Sequence, residues 1–264
     1  MHTLTTKPWD LEDCVKNYAK AGINGITIWR NVLENMNLKE VKTLLDNYRM
    51  NVVSVARGGF LASADKKRRQ DALDDNHWAI RQAEAIGAPL LVLVCGADGQ
   101  QPLEESRRQI KEGIVSLLPQ AQAAGVKLAI EPLHPMYAGD RSAINTLEQA
   151  NDMAEEINSE YLGVAVDVYH LWWDNHLKEE IRRCGKNGKL LAFHVCDWNV
   201  PTIDFLNDRG LMGDGCIPVS EIRGWVEDTG FQGYHEVEIF SDKYWAMDQR
   251  EYLEKIKQAY LTKT

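Results

Sequence analysis

The chain has 264 residues, with 30 Lys and Arg against 39 Asp and Glu, so its formal charge is −9. Hydrophobic residues at 44% and charged residues at 26% are ordinary globular values, which exclude intrinsic disorder and fibrous classes. An acidic chain also lacks the clustered Lys and Arg that displace counterions from a phosphate backbone, which argues against a nucleic-acid partner.

Five cysteines, an odd number with no CxxC spacing, read as reduced thiols. No basic stretch leads into an apolar one at the start, and no run of ~18 apolar residues occurs. The expectation is a cytoplasmic protein with no membrane partner. Association into a homo-oligomer is left open.

In chain order, residues 2–5 read as a short first strand and 11–21 as a helix introduced by Asp10-Leu11-Glu12-Asp13. A strand at 25–29, a helix at 38–48, a strand at 52–56, a helix at 71–86, a strand at 90–94 and a helix at 103–124 follow. The second half continues with strands at 127–131, 162–167, 190–194 and 234–240. Helices at 146–157, 176–184, 220–229 and 248–260 separate and follow them, that at 220–229 opening on Ser220-Glu221. Such alternation implies right-handed βαβ units and a parallel sheet. Eight units close an α/β (β/α)8 TIM barrel, here one domain over 1–264. Neither GxGxxG nor GxxxxGK[ST] is present, so a doubly wound nucleotide fold lacks its main support.

The active face of such a barrel lies at the carboxyl ends of its strands, and side chains two apart share a face. In Ala129-Ile130-Glu131, Ala165-Val166-Asp167 and Ala192-Phe193-His194, a polar residue stands above an alanine on the inner face. Leu128, Ile130, Val164, Val166, Leu191 and Phe193 then face the helices. On the last strand Glu236 and Glu238 point inward, Glu238 at the exit and Glu236 in the alanine layer. Lys127 is the expected partner of Glu236, because an unpaired buried carboxylate is costly.

Glu131, Asp167, His194 and Glu238 thus place three carboxylates and one imidazole around one pocket. Two carboxylates ~4 Å apart repel by about 4 kcal/mol at an effective dielectric of ~20, so a cation is needed to keep three of them ionised. Oxygen-rich ligation with one nitrogen suits one divalent ion, Mn²⁺ first, then Mg²⁺ or Co²⁺, with Zn²⁺ also open.

The sequence resembles the xylose isomerase-like TIM barrels, in the sugar phosphate isomerase/epimerase branch. The resemblance covers nearly the whole chain. It is carried by Gly22 to Arg30 (GINGITIWR), Ile130-Glu131-Pro132-Leu133, Val166-Asp167-Val168-Tyr169-His170, Phe193-His194-Val195-Cys196-Asp197 and Glu238-Ile239-Phe240. It implies a metal held by Glu131, Asp167, His194 and Glu238, with Glu131 and Glu238 also serving as the acid/base pair on a bound ketose. The implied reaction removes a proton α to a carbonyl and returns it elsewhere, with the metal stabilising ene-diolate charge. It also implies a substrate contact for His170, three residues past Asp167, and His134 stands similarly past Glu131. The epimerases of this branch carry an arginine shortly after the strand-seven histidine; here Asp197-Trp198-Asn199-Val200-Pro201 stands instead, and Arg209 follows much later.

Trp29, Arg30, Arg57, Trp172 and Arg209 complete the candidate substrate contacts, since aromatic faces pack against sugar C–H groups and arginines bind phosphate or carboxylate. Residues 197–218 are long for a βα loop and are expected to form a lid. The expected activity is a metal-dependent sugar or sugar-phosphate isomerase or epimerase. A dehydratase of an inosose-like or keto-sugar substrate is the second reading, and a non-catalytic sugar-binding protein the third. Apurinic-site endonucleases share the barrel, but their zinc site needs extra histidines where this chain has Trp29, Arg30 and Arg57.

Overall fold

Short β-branched runs closed by polar turns form the inner wall of the molecule, and a computed structural model describes them over residues 1–264. The strands are β1 (Gly25–Trp29), β2 (Asn51–Gly59), β3 (Leu90–Val94), β4 (Lys127–Glu131), β5 (Leu162–Asp167), β6 (Leu190–Val195), β7 (Asp197–Trp198), β8 (Arg209–Gly210) and β9 (His235–Val237). The helices are α1 (Leu11–Lys20), α2 (Leu38–Asn47), α3 (Lys66–Ile86), α4 (Leu103–Ala124), α5 (Leu147–Ile157), α6 (Val168–Leu171), α7 (Leu177–Lys186), α8 (Val219–Glu227), α9 (Asp242–Trp245) and α10 (Gln249–Lys263). Seven parallel strands lie in the order β1-β2-β3-β4-β5-β6-β9, forming a TIM barrel. None of the helices is long and apolar enough to cross a membrane.

The expected strand at 2–5 does not form; Thr3–Thr6 is a turn of 3₁₀ helix. His2 alone takes the eighth place. Its N–H donates to Val237 O of β9 (3.1 Å), and Thr27 N of β1 donates to Met1 O (3.0 Å). Threonine hydroxyls then replace the missing main-chain ladder: Trp29 N donates to Thr3 Oγ1 (3.0 Å), and Ile239 N to Thr5 Oγ1 (3.1 Å). Buried backbone donors at the seam are thereby satisfied without an eighth strand.

The predicted face pattern holds. Leu91, Leu93, Leu128, Ile130, Val164, Val166 and Phe193 join a core of 59 buried residues between sheet and helices, whereas Leu90, Val92, Ala129, Ala165 and Ala192 form a separate cluster inside the barrel. Most apolar burial therefore lies outside the strands, and small inner residues leave the mouth to polar groups. Leu191 is an exception to the expected phase: it packs against the inner cluster, beside a register shift between Val164 and Ala165.

Helix boundaries follow local chemistry. Asp10 caps α1 by accepting from Asp13 N (2.8 Å). α3 begins earlier than its apolar pattern, because Asp65 caps a charged first stretch by accepting from Lys67 N (2.7 Å). Ser220 lies one residue inside α8 and does not cap it. β2 runs on to Gly59, whose φ of +109° and whose closeness to β3 both require glycine: a Cβ there would lie 1.9 Å from Val94 O.

Candidate metal centre at the barrel mouth

Parallel register sets the height of each polar side chain. Glu131 ends β4 beside Val94, Asp167 ends β5 opposite His194 of β6, and His194 stands opposite Glu236 of β9. Glu238 follows β9 directly, its N–H donating to Val195 O (3.1 Å). One donor atom from each of Glu131, Asp167, His194 and Glu238 lies within 4.8 Å of the others, and all four residues are buried.

The way these atoms face one another is informative. His194 Nδ1 and Glu131 Oε1 are 2.9 Å apart, yet neither makes a hydrogen bond, although both are buried. Two ligands of one ion, each at ~2.1 Å and subtending about 90°, lie about 3 Å from each other and point at the ion. The donor set therefore fits a divalent cation, and the spacing of this pair is that of two ligands of one ion.

Arg209 supplies the positive charge already within the site. Its Nη1 donates to Glu238 Oε2 (2.8 Å) and Asp167 Oδ2 (3.1 Å), and its guanidinium lies between the rings of Tyr169 (4.3 Å) and Phe240 (4.5 Å). The hairpin of β7 and β8 brings it there: Trp198 pairs with Arg209, and Arg209 N donates to Phe240 O (2.9 Å). Distance in sequence hid this contact, because the long loop folds back on its own first residues.

Burial and charge set the protonation of the cluster. Burial pushes the Asp167 carboxyl up to about 7 against the pull of Arg209, with Glu238 and Glu131 adding to the rise. Burial also opposes charge on Glu238, but His2, Arg209 and His194 outweigh it and hold that carboxyl well below its usual range. Burial disfavours the His194 imidazolium, yet Glu131, Glu236 and Glu238 together push its pKa up to about 10. His170 is driven the other way, well below its ordinary value, by burial and by Arg209. It stays neutral with Nε2 3.3 Å from Arg209 Nη2 and 3.6 Å from Asp167 Oδ2.

A second buried layer lies underneath. Trp29 Nε1 lies 3.1 Å from His2 Nδ1, and His2 Nε2 lies 3.2 Å from Glu236 Oε2. His2 Nδ1 also stands 2.9 Å from Glu238 Oε1. Thr27 donates to Glu236 as well, and burial is overcome there by His194 and His2, which hold the Glu236 carboxyl down to about 2. Lys127 is not the partner of Glu236. It is exposed at the start of β4, at the far end of the barrel, and His2 takes the role instead.

The remaining sequence candidates divide. Trp29, Arg57, His170 and Arg209 line one cavity with Glu131 and Glu238. Arg30 does not join them: it is committed to Asp75 through two 2.7 Å bonds and to Gln82 at 2.8 Å. Trp172 packs beside Trp198 under the long loop and is no part of that lining. His134 likewise packs against Trp173 and Trp198 and accepts from Met136 N (3.2 Å). Sequence reasoning missed His2, Tyr137 and Arg141. The last two follow the β4 exit, and position after a strand end was the only available signal.

Such a barrel, with a buried three-carboxylate, one-imidazole cluster at its carboxyl strand ends, defines a class of α/β barrels that keep their chemistry at that face. The sequence pattern of the xylose isomerase-like TIM barrel matches residues 15–260, and the chain belongs to that family. It is 25% identical over 207 residues to an inosose isomerase of Bacillus licheniformis, covering 75% of this chain and 71% of that protein. Among solved structures it is similar to protein SMc04130 of Sinorhizobium meliloti 1021, with a TM-score of 0.96 and 42% identity over 100% of this chain and 97% of that one. The IOLI protein with a bound zinc atom shares the fold, with a TM-score of 0.87 at 19% identity over 99% and 95% of the two chains.

Proposed function

We propose that the chain is a divalent-metal-dependent isomerase or epimerase of a small sugar or keto-sugar, acting by removal of a proton α to a carbonyl. The observation that carries this reading is the convergence of Glu131, Asp167, His194 and Glu238, with His194 Nδ1 and Glu131 Oε1 2.9 Å apart and neither in a hydrogen bond. These four residues would hold the ion, Mn²⁺ in first place and Mg²⁺, Co²⁺ or Zn²⁺ as alternatives. Bound there, it would supply Lewis-acid stabilisation of the charge that develops on the substrate oxygens.

The side chains supply the proton chemistry. Glu238, held ionised by His2 and Arg209, is the base that takes the α proton on a carboxylate oxygen. Glu131, entering from β4 on the far side of Asp167 and His194, is the carboxyl that returns a proton, gained from solvent as Glu238 gives its own up to solvent, so that both carboxylates are restored after each turnover. Neutral His170 and charged Arg209 orient the substrate oxygens from the same wall. The loop at 197–218 excludes water: Tyr137 and Tyr169 both donate to Phe205 O, at 2.8 and 3.0 Å, and Leu206 lines the cavity.

Metal analysis of the purified protein, with conversion of ketoses and inososes followed by product mass, tests this reading. One divalent ion per chain, conversion without mass change and loss of conversion on chelation are expected. Absence of a stoichiometric ion, or conversion untouched by chelation, would overturn it, and loss of one water from the product would assign a dehydratase instead.

A further inference from the structure

Four arginines surround the barrel mouth, and only two of them are neutralised. Arg30 is paired with Asp75, and Arg209 with Asp167 and Glu238. Arg57, two residues before the end of β2, and Arg141, in the loop between β4 and α5, have no carboxylate within 4.0 Å, and neither guanidinium donates a hydrogen bond to the protein. Both line the cavity that holds Glu131, His170 and Glu238. Each is steadied by an aromatic ring that leaves its charge in place: Arg57 lies 4.3 Å over Phe60, and Arg141 lies 5.2 Å over Tyr137. The Arg141 backbone is fixed too, its N–H donating to Tyr137 O (3.0 Å) and its carbonyl accepting from Gly96 N (2.9 Å).

Charge balance gives these two residues a use. Three carboxylates of the cluster would be matched by one divalent ion and Arg209, which leaves Arg57 and Arg141 as two unmatched positive charges lining the same cavity. Burial and the nearness of Arg141 both disfavour the charged form of Arg57, with Glu131 the main opposing charge. Holding two like charges together in a cavity is unfavourable until an anion sits between them. Forked guanidinium groups match the oxygens of a phosphate or carboxylate.

We propose that Arg57 and Arg141 form a subsite for a terminal oxyanion of the substrate, so that the sugar acted on carries a phosphate ester or a carboxylate remote from its carbonyl. This rests on the reading of the barrel mouth as a sugar isomerase or epimerase site. The count of two unmatched charges favours the phosphate dianion over the carboxylate.

Titration calorimetry on the metal-loaded protein tests it, with inorganic phosphate and gluconate as the two probes. Arg57→Met and Arg141→Met should each weaken binding of the preferred probe at least tenfold, with metal content and melting temperature unchanged. Arg57→Lys should restore part of the loss, and Arg108→Met, on the exposed face of α4, should leave binding as in the wild type. Tighter phosphate than gluconate assigns a phosphate ester, and the reverse order assigns a carboxylate. Affinities within twofold of wild type in both Met variants would overturn the subsite. Binding is read without turnover: if the variants lose phosphate while no sugar is converted, the isomerase reading fails and the anion site stands. If neutral sugars are converted and phosphate binding ignores both arginines, only the subsite fails.

Discussion

Glu238 and His2 differ in what their removal should do. Glu238→Gln keeps the shape and removes the proposed base, so turnover should fall by ~10²–10⁴-fold with an unchanged circular dichroism spectrum. His2→Ala leaves the Glu236 carboxylate buried without its ring partner, which costs roughly 3–5 kcal/mol and should appear as a lower urea midpoint. A His2→Ala midpoint equal to wild type would show that Thr27, Ser54 and the nearby His194 ring satisfy that carboxylate without it. The four candidate ligands were legible in the sequence because strand alternation puts each above an inner alanine or glutamate. His2 was not, since a single histidine before a 3₁₀ turn has no period, and its place between Glu236 and Glu238 exists only once the barrel closes.

The long loop is organised by one side chain. Asp197 Oδ1 accepts from Trp198 N (2.8 Å) and Ile217 N (2.9 Å), while Oδ2 accepts from Gly213 N and Gly215 N, both at 2.9 Å. Gly215 must be glycine in this arrangement, because a Cβ would lie 2.1 Å from Trp198 O. Asp197→Ala frees four backbone donors, each worth about 0.5–1.5 kcal/mol when satisfied. It should therefore open 197–218 to proteolysis and lower turnover through a displaced Arg209, while the barrel keeps its melting cooperativity. A loop cut no faster than in wild type would contradict this. The loop's length was visible in the sequence, but the β7–β8 pairing was not, because two-residue strands carry no periodic signal. For the same reason Arg209 was legible only as a candidate substrate contact, and its bonds to Asp167 and Glu238 were not.

On the scale of the whole molecule, alternating strands and helices specified the barrel, and the departure came at the closing seam, where threonine hydroxyls stand in for strand pairing. The helix-facing side of the last strand also carries a titratable group. Burial and Arg223 lower the pKa of His235, Glu227 opposing, with Tyr260 OH 3.1 Å from its Nδ1. In the unfolded chain the ring titrates near its ordinary value of about 6.5. The folded state therefore resists a proton that the unfolded state accepts: the stability is complete above about pH 6.5 and is lost as pH falls toward the depressed folded value. His235→Gln should make the fall in urea midpoint between about pH 7.5 and 5.5 shallower than in wild type. An equal fall would assign the acid sensitivity elsewhere, for instance to half-buried His134, whose pKa burial also lowers.

The claim that joins these scales is that Glu131 and Glu238 move a carbon-bound proton beside a divalent ion. Nuclear magnetic resonance of ketoses, their phosphates and inososes incubated with the Mn²⁺-loaded protein in deuterium oxide measures it directly, followed after removal of the paramagnetic ion. Deuterium should enter the carbon next to the carbonyl of the true substrate, and entry should cease with chelator or with Glu238→Gln. Conversion of a sugar with no deuterium at that carbon, or deuterium entry that survives both chelation and Glu238→Gln, would contradict it.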